Sequence, residues 1–271
     1  HRRRHNRFDH SVGVAELALL YAAIRGLRRK AARILAAAGL LHDVGHGPLS
    51  HTLEPVFKSQ FDITHHRSGD NIMYGRSPFG AEIIDIMDAY GIDLDEVAAM
   101  IGGRHDGPHA FLFSSPINLD TIEGISRSRA FAARSQSPID PRRLVAAMAE
   151  HENPPVARMD EFWGLKHEIY NLVIHNPWGL IFDGLAQAYM DYLIDEFSAD
   201  DFLKTEDQLR HKQPVLIHIF AWAKSSPRRA HHRVSELVPE VLNFDLRAPQ
   251  RFFTVDRSVN IKSSDDLSTR Y

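Results

Sequence analysis

The stretch Leu40-Leu41-His42-Asp43-Val44-Gly45-His46-Gly47-Pro48-Leu49-Ser50-His51 sets three imidazoles and a carboxylate at the end of an apolar, alanine-rich run. Neutral imidazole nitrogen together with carboxylate oxygen is a ligand set that suits Zn, Mn, Fe, Co or Ni. Neighbours on a helix point roughly 100° apart. His42 and Asp43 therefore do not share a face, yet both can bind one ion lodged against the side of their helix. A His-Asp pair taken alone reads more simply as a core histidine beside a helix-end charge. The glycines, the proline and the two further histidines that follow this pair are what point to chemistry.

Two other stretches carry residues of the same kind. Asn6-Arg7-Phe8-Asp9-His10-Ser11-Val12-Gly13-Val14 runs straight into an apolar helix, which puts His10 near that helix's N-terminus. Arg7, in a run with Arg2, Arg3 and Arg4, reads alone as one more solvated charge, although a planar guanidinium fork suits phosphate. Asp120 lies in Ser114-Ser115-Pro116-Ile117-Asn118-Leu119-Asp120-Thr121-Ile122-Glu123-Gly124-Ile125, ahead of an apolar helical turn, where an Asp is commonly an N-cap. Between these stretches stand His65 and His66, preceded by Thr64.

His42-Asp43 followed by Gly-His-Gly-Pro-x-Ser-His resembles the HD-domain metal-dependent phosphohydrolases, and its spelling looks most like the branch containing the deoxynucleoside triphosphate triphosphohydrolases. The resemblance implies an all-α fold, an HD-domain helical bundle. It also implies a divalent cation, Mn, Fe, Co, Ni or Zn with Mg admitted, held by His10, His42, Asp43 and Asp120. It assigns Arg7 to substrate phosphate, and His46, His51, His65 and His66 to the catalytic group acting on the scissile phosphate or its leaving oxygen. His66 stands where the branch usually has Glu, which puts a carboxylate-oriented proton relay in question. Alternatively, His46, His51 and His65 help to hold a second metal, as in other HD subgroups. Ile169-Tyr170-Asn171-Leu172-Val173-Ile174-His175 is similar to the family's later helix that closes the substrate pocket, which places His175 at the substrate.

The likeness covers roughly residues 5 to 220 and has gaps that bear on substrate. In the triphosphohydrolase branch the helix after the metal Asp presents a Lys, a Tyr and an Asp toward phosphate and deoxyribose. Here those places are held by Thr121, Gly124 and Ser128, and Asn176 replaces a later Lys. The expected activity is metal-assisted hydrolysis of a phosphoester or phosphoanhydride on a nucleotide, with weak sugar discrimination. Two alternatives come from other classes. One is a di-iron oxygenase of HD fold, against which the Gly-His-Gly-Pro-x-Ser-His spelling argues. The other is a nucleotide-binding regulatory module that keeps the metal and has lost catalysis.

These residues need a scaffold, and the composition supplies an ordinary one. The 271 residues, 44% hydrophobic and 25% charged, suffice for one sizeable core plus an appendage, with 1–224 expected as the HD domain and 225–271 as an irregular or short-β extension. Without cysteine there is neither a disulfide framework nor a thiolate ligand, so His, Asp and Glu must hold any metal. A net charge of −3 gives no global attraction to nucleic acid, and no apolar run is long enough to span a bilayer. A cytoplasmic protein, with a phosphorylated small molecule as partner and a homo-oligomer admitted, is the expectation.

Apolar spacing predicts helices over 12–27 and 28–44, short ones over 49–57 and 64–74, one capped by Ser77-Pro78 and ending near Gly91, and one begun by Asp93 with Glu96. Residues 104–116 read as a loop and 116–127 as a helix, Asp140-Pro141 starts another, and 160–175 with 178–197 form a helical pair. Arg251-Phe252-Phe253-Thr254-Val255-Asp256 has the content of a short strand.

Overall fold

The computed structural model describes residues 6–132, 139–151, 156–174 and 176–237. All regular structure among them is helical, and the expected strand at 251–256 lies outside them. In chain order the α-helices are α1 (Arg7–Ile24), α2 (Arg29–Leu41), α3 (Glu54–Phe61), α4 (His65–Met73), α5 (Ala81–Tyr90), α6 (Leu94–Ile101), α7 (Phe111–Ser114), α8 (Leu119–Ala132), α9 (Pro141–Glu150), α10 (Val156–Ile169), α11 (Pro177–Tyr192), α12 (Glu206–Lys212), α13 (Pro214–Ser225) and α14 (Pro227–Leu237). None of the described helices is long and apolar enough to cross a membrane. The described residues divide into two compact units, one built from residues within 6–44 and 69–169, the other from residues within 45–68 and 170–237.

The first unit is organised around α1, which buries Val14, Ala15, Leu17, Ala18, Tyr21 and Ala22. Its alanines let α2 come close: a Cβ on Gly39 would stand 2.8 Å from the Ala15 Cα, so the two backbones touch where a side chain would hold them apart. Helix α9 adds Leu144, Val145 and Met148 to this core, and α8 adds Ile122 and Ile125. α6 packs on α2 and α10 on α8. Helix α1 begins at Arg7 rather than Val12, because the Asn6 side chain accepts from the Asp9 N–H and caps it there. The Asp93 cap holds as expected, accepting from the N–H groups of Asp95 and Glu96. Ser77-Pro78 does not cap α5, which starts at Ala81. Gly80, at φ 99°, lies so close to the Ile72 carbonyl that a Cβ would fall 2.0 Å from its oxygen, and this approach decides where the helix can begin.

In the second unit α11 is the centre, with Leu185, Ala186 and Met190 buried against Leu216 and Ile219 of α13 and Ala230 and Val234 of α14. Val56 and Phe57 of α3 join the same core, as does Phe202 from a 3₁₀ turn over Ala199–Leu203. That turn is anchored by Asp201, which is fully buried and ion-paired to Lys204 and Lys212. Helix α14 forms the first part of the expected extension, its Ala230 and Val234 one turn apart on the buried face.

Candidate metal centre

The first unit brings His10, His42, Asp43 and Asp120 together from three helical segments. His10 lies in the first turns of α1, His42 is the C-cap residue of α2 with Asp43 just after it, and Asp120 lies in the first turn of α8. The Asn118 side chain accepts from the Thr121 N–H and so caps α8, which leaves the Asp120 carboxylate for other work. The His10 Nε2 lies 3.0 Å from Asp120 Oδ1 and 3.3 Å from His42 Nε2. From the His42 Nε2 it is 3.6 Å to Asp43 Oδ1 and 3.7 Å to Asp120 Oδ1, and from the His10 Nε2 it is 3.9 Å to Asp43 Oδ2. Donor atoms each about 2.0–2.2 Å from one ion must stand about 3–4 Å apart. His10, His42 and Asp43, whose donor atoms lie within 4.8 Å of one another, fit a divalent cation on that test, and Asp120 stands within reach of both histidines.

Both imidazoles are turned to the centre by what holds their far nitrogens. His42 Nδ1 pairs with the Gly39 carbonyl at 2.9 Å, so its N–H donates there and Nε2 keeps the lone pair. His10 Nδ1 pairs with Glu123, whose carboxylate is in turn gripped by Arg127, and Arg127 donates to the Asp9 carbonyl at 2.7 Å. This is the carboxylate–histidine arrangement that fixes the ring of a metal ligand. Gly13 makes room for it, because a Cβ there would stand 2.5 Å from a Glu123 oxygen.

Burial disfavours a charged His10, but the Asp120 and Glu123 carboxylates outweigh it and push its pKa up to about 9. His42 is also raised, burial being overcome chiefly by Asp120. Burial opposes ionisation of Asp120, yet His10 and His42 hold its carboxyl well below the usual range, and His10 and Arg127 do the same for Glu123. A cation entering here takes the place of the proton that otherwise bridges these groups. The side chains of His10, His42 and Asp43 are 13%, 9% and 15% exposed, whereas Asp120 is 49% exposed, so the centre is closed toward the helices and open on the Asp120 side. A catalytic site keeps such an open position for water or substrate.

Arg7 ion-pairs with Asp43 at the rim. Gly124, where the resemblance would have a Tyr, has its Cα facing the centre. A Cβ there would lie 3.5 Å from the His10 ring and 3.9 Å from Asp120 Oδ1, so glycine leaves open the space a larger side chain would fill.

The second unit holds another cluster. His46 and His65 stack with ring centroids 4.2 Å apart and planes 8° apart, and the His51 ring stands edge-on to both, 4.7 Å from His46 and 5.2 Å from His65. One carboxylate serves two of the three rings: Glu54 pairs with His51 Nδ1 at 2.9 Å, with His65 Nδ1, and with the His65 backbone N–H at 2.8 Å. Burial opposes its charge, but His51 and His65 hold the Glu54 carboxyl far below the usual range. His66 is exposed and lies against the His65 ring at 4.0 Å. A carboxylate thus meets the His65 ring from residue 54 rather than from residue 66. Imidazole lone pairs lie in the ring plane, and the parallel planes of His46 and His65 do not meet at one ion. The three rings nevertheless each offer a nitrogen within 4.8 Å of the others, close enough to serve either a second metal or proton exchange.

The backbone is shaped to present these rings. Leu49 and Ser50 lie in the left-handed region at φ 56° and 49°, rare for residues other than glycine. A Cβ on Gly47 would be 2.8 Å from the Phe202 carbonyl oxygen. Thr52 is clamped on both sides, its hydroxyl donating to buried Asp183 at 2.6 Å and its carbonyl accepting from Gln187 at 2.8 Å. His175 lies outside the described residues.

Glu123 and Glu54 are the residues that sequence reasoning missed. Glu123 follows Asp120 by three positions and so shares its helix face, and Glu54 follows His51 by three. Those spacings were the available signal.

Residues 7–162 match the HD domain family. The chain is 28% identical over 236 residues to the deoxynucleoside triphosphate triphosphohydrolase SAMHD1 homolog of Dictyostelium discoideum, covering 76% of this chain and 42% of that protein. It is 25% identical over 188 residues to the uncharacterized protein YwfO of Bacillus subtilis, 65% of this chain and 42% of that one. With human deoxynucleoside triphosphate triphosphohydrolase SAMHD1 it shares 31% over 115 residues, 38% of this chain and 18% of the human protein. The chain thus spans less than half the length of these curated relatives. A family match over more than half the chain, containing His10, His42, Asp43 and Asp120 in contact distance, establishes that this chain belongs to the HD-domain family.

Proposed function

We propose that this chain is a metal-dependent phosphohydrolase acting on a nucleotide, its metal held by His10, His42, Asp43 and Asp120. The observation that carries the reading is that the Nε2 atoms of His10 and His42 each stand 3.0–3.9 Å from the Asp43 and Asp120 carboxylates, with one open side. Two imidazoles in the set favour Mn, Fe, Co, Ni or Zn over Mg, which prefers oxygen ligands. The chemistry such a cation supplies when bound is acidification of a water and polarisation of a phosphoryl oxygen.

The chain's own groups do the rest. Glu123 and the Gly39 carbonyl keep the Nε2 atoms of His10 and His42 aimed at the ion. Arg7, half-exposed beside Asp43, orients a phosphate through its planar fork. His46, His51 and His65 are the candidates for donating the proton that the leaving oxygen needs, and Glu54 sets the tautomer of His51 and His65 by accepting from their Nδ1–H groups. His66 contributes through its contact with His65. The oxygenase alternative needs a second iron, and the stacked His46 and His65 rings weigh against a ligand set for it.

The names of the Dictyostelium and human relatives point to deoxynucleoside triphosphates. Thr121, Gly124 and Ser128 point away from tight recognition of the sugar, since glycine and a short hydroxyl leave space that water fills. The test is a turnover screen of Mn-loaded protein against nucleoside mono-, di- and triphosphates in ribo and deoxy forms. Phosphate or polyphosphate release, lost with the metal in His42→Ala and Asp43→Ala, is the expected result. Full activity in either variant with stoichiometric metal overturns the site. A deoxy-over-ribo preference of about a hundredfold, near 2.7 kcal/mol, overturns the reading of the sugar pocket. Tight nucleotide binding without turnover identifies the regulatory alternative.

A further inference from the structure

His46 and His51 stand at the two ends of a turn that needs holding from outside. Leu49 and Ser50, neither of them glycine, are both left-handed, a conformation that persists only where surrounding contacts impose it. The turn's own hydrogen bonds are local, from the Ser50 N–H to the Gly47 carbonyl at 3.1 Å and from the Thr52 N–H to the Leu49 carbonyl at 3.0 Å. Near His46 the outside contact is the close approach of Gly47 to the Phe202 carbonyl. Next to His51 it is Thr52, which faces α11. Asp183 and Gln187 lie one turn apart on that helix, so both reach Thr52 from one face, Asp183 at the hydroxyl and Gln187 at the carbonyl. Thr52 and Asp183 are both buried, and Leu185, Ala186 and Met190 anchor α11 in the core of the same unit. An O–H···O⁻ bond of 2.6 Å is charge-assisted and roughly twice as strong as a neutral one.

Glu54 grips the His51 ring by its far nitrogen, and a ring gripped at one atom still takes its place from the backbone that carries it. We infer that Asp183 is a positioning residue: through the Thr52 hydroxyl it fixes the backbone from which His51 projects, and with it the packing of His51 against His46 and His65. The inference rests on the proton-donor reading of these histidines above and deepens it, by naming the group outside the cluster that sets its geometry. Misplacement of a reacting group by about 1 Å can cost on the order of a hundredfold in rate.

The experiment measures kcat, KM and bound metal for the Mn-loaded full chain with a nucleotide that the screen shows to be turned over. Thr52→Val keeps the shape of the side chain and removes its donor. It should lower kcat about tenfold or more while KM and metal content stay near their wild-type values. Thr52→Ser, which restores a hydroxyl, should recover most of the rate, and Asp183→Asn, which still offers an acceptor oxygen, should keep most of it. Asp183→Leu should behave like Thr52→Val, and the two together should do no more than the worse of them alone, because both break one bond. A wild-type kcat in Thr52→Val overturns the inference. So does a loss in which kcat and metal content fall together, a loss that Thr52→Ser does not recover, or an additive loss in the double variant. Thr52→Val and Thr52→Ser carry the decision if Asp183→Leu does not fold. Wild-type protein that binds metal and turns over no nucleotide overturns the phosphohydrolase reading, and this inference with it.

Discussion

In the proposed metal site Glu123 is the residue that holds a ligand rather than the ion. Its carboxylate fixes the His10 ring through Nδ1 and is itself fixed by Arg127. Replacing it with Gln keeps the shape and removes the charge that makes His10 a better donor. Partners of this kind are typically worth 10–100-fold in metal affinity. Glu123→Gln should therefore weaken Mn binding by about that factor, measured by competition with a chelator, while leaving the circular dichroism spectrum unchanged. An affinity within about twofold of wild type would remove Glu123 from the site. This residue, like Glu54, was poorly legible beforehand for a physical reason. A carboxylate's role is set by what it meets, and Glu123 meets a histidine 113 positions away. His42, Asp43 and His10 were legible because helix ends and glycine turns confine them locally. Asp120 was ambiguous between cap and ligand until Asn118 took the cap.

Among the elements, the crossing of α1 and α2 decides whether the two histidines can meet. Gly39 allows it, and the steric demand is backbone against backbone, so no flexible side chain can yield. Gly39→Ala should cost about 1–3 kcal/mol, the usual range for overpacking, and should weaken metal binding as His42 moves from His10. Gly164 in α10 is the control, because a Cβ there meets nothing within 4 Å. Gly164→Ala should be neutral or stabilising by up to about 1 kcal/mol, as helix propensity alone dictates. Equal effects of the two substitutions in urea titration would show that the close approach has no energetic weight.

The turn that carries Phe202 depends in the same way on Asp201. Burial opposes its charge, and Lys204 and Lys212 overcome it, so its carboxyl titrates below the usual value in the folded protein. A depressed folded pKa means stability present above the unfolded value of about 3.9 and lost as pH falls below it. Asp201→Asn should cost about 2–4 kcal/mol at neutral pH, toward the low end for a buried pair because both lysines reach solvent. The difference between variant and wild type should shrink as pH drops below about 4; a gap that stays constant from pH 7 to pH 3 would mean the charge is not what Asp201 contributes.

For the whole molecule, helix content and helix order were readable because apolar periodicity and caps such as Asp93 are local signals. Helix α7 inside the expected loop at 104–116, and the start of α5 at Ala81, were not, since they follow from packing partners distant in sequence. What unites the first unit is its centre, where segments near residues 10, 42 and 120 place the Nε2 atoms of two histidines within 4 Å of each of two aspartates. In the metal-free protein those carboxylates are balanced by a His10 whose pKa stands at about 9. A cation that binds this folded arrangement and not the unfolded chain stabilises the fold by mass action, about 2.7 kcal/mol at a free concentration a hundred times Kd. For a protein of this size that corresponds to a rise of roughly 5–10 °C in Tm. Calorimetry with Mn present and with excess chelator should show that difference, and His42→Ala should abolish it while retaining a cooperative transition. A Tm unmoved by Mn in the wild type, or moved equally in His42→Ala, would mean that the four side chains are an ion-paired core and not a metal centre.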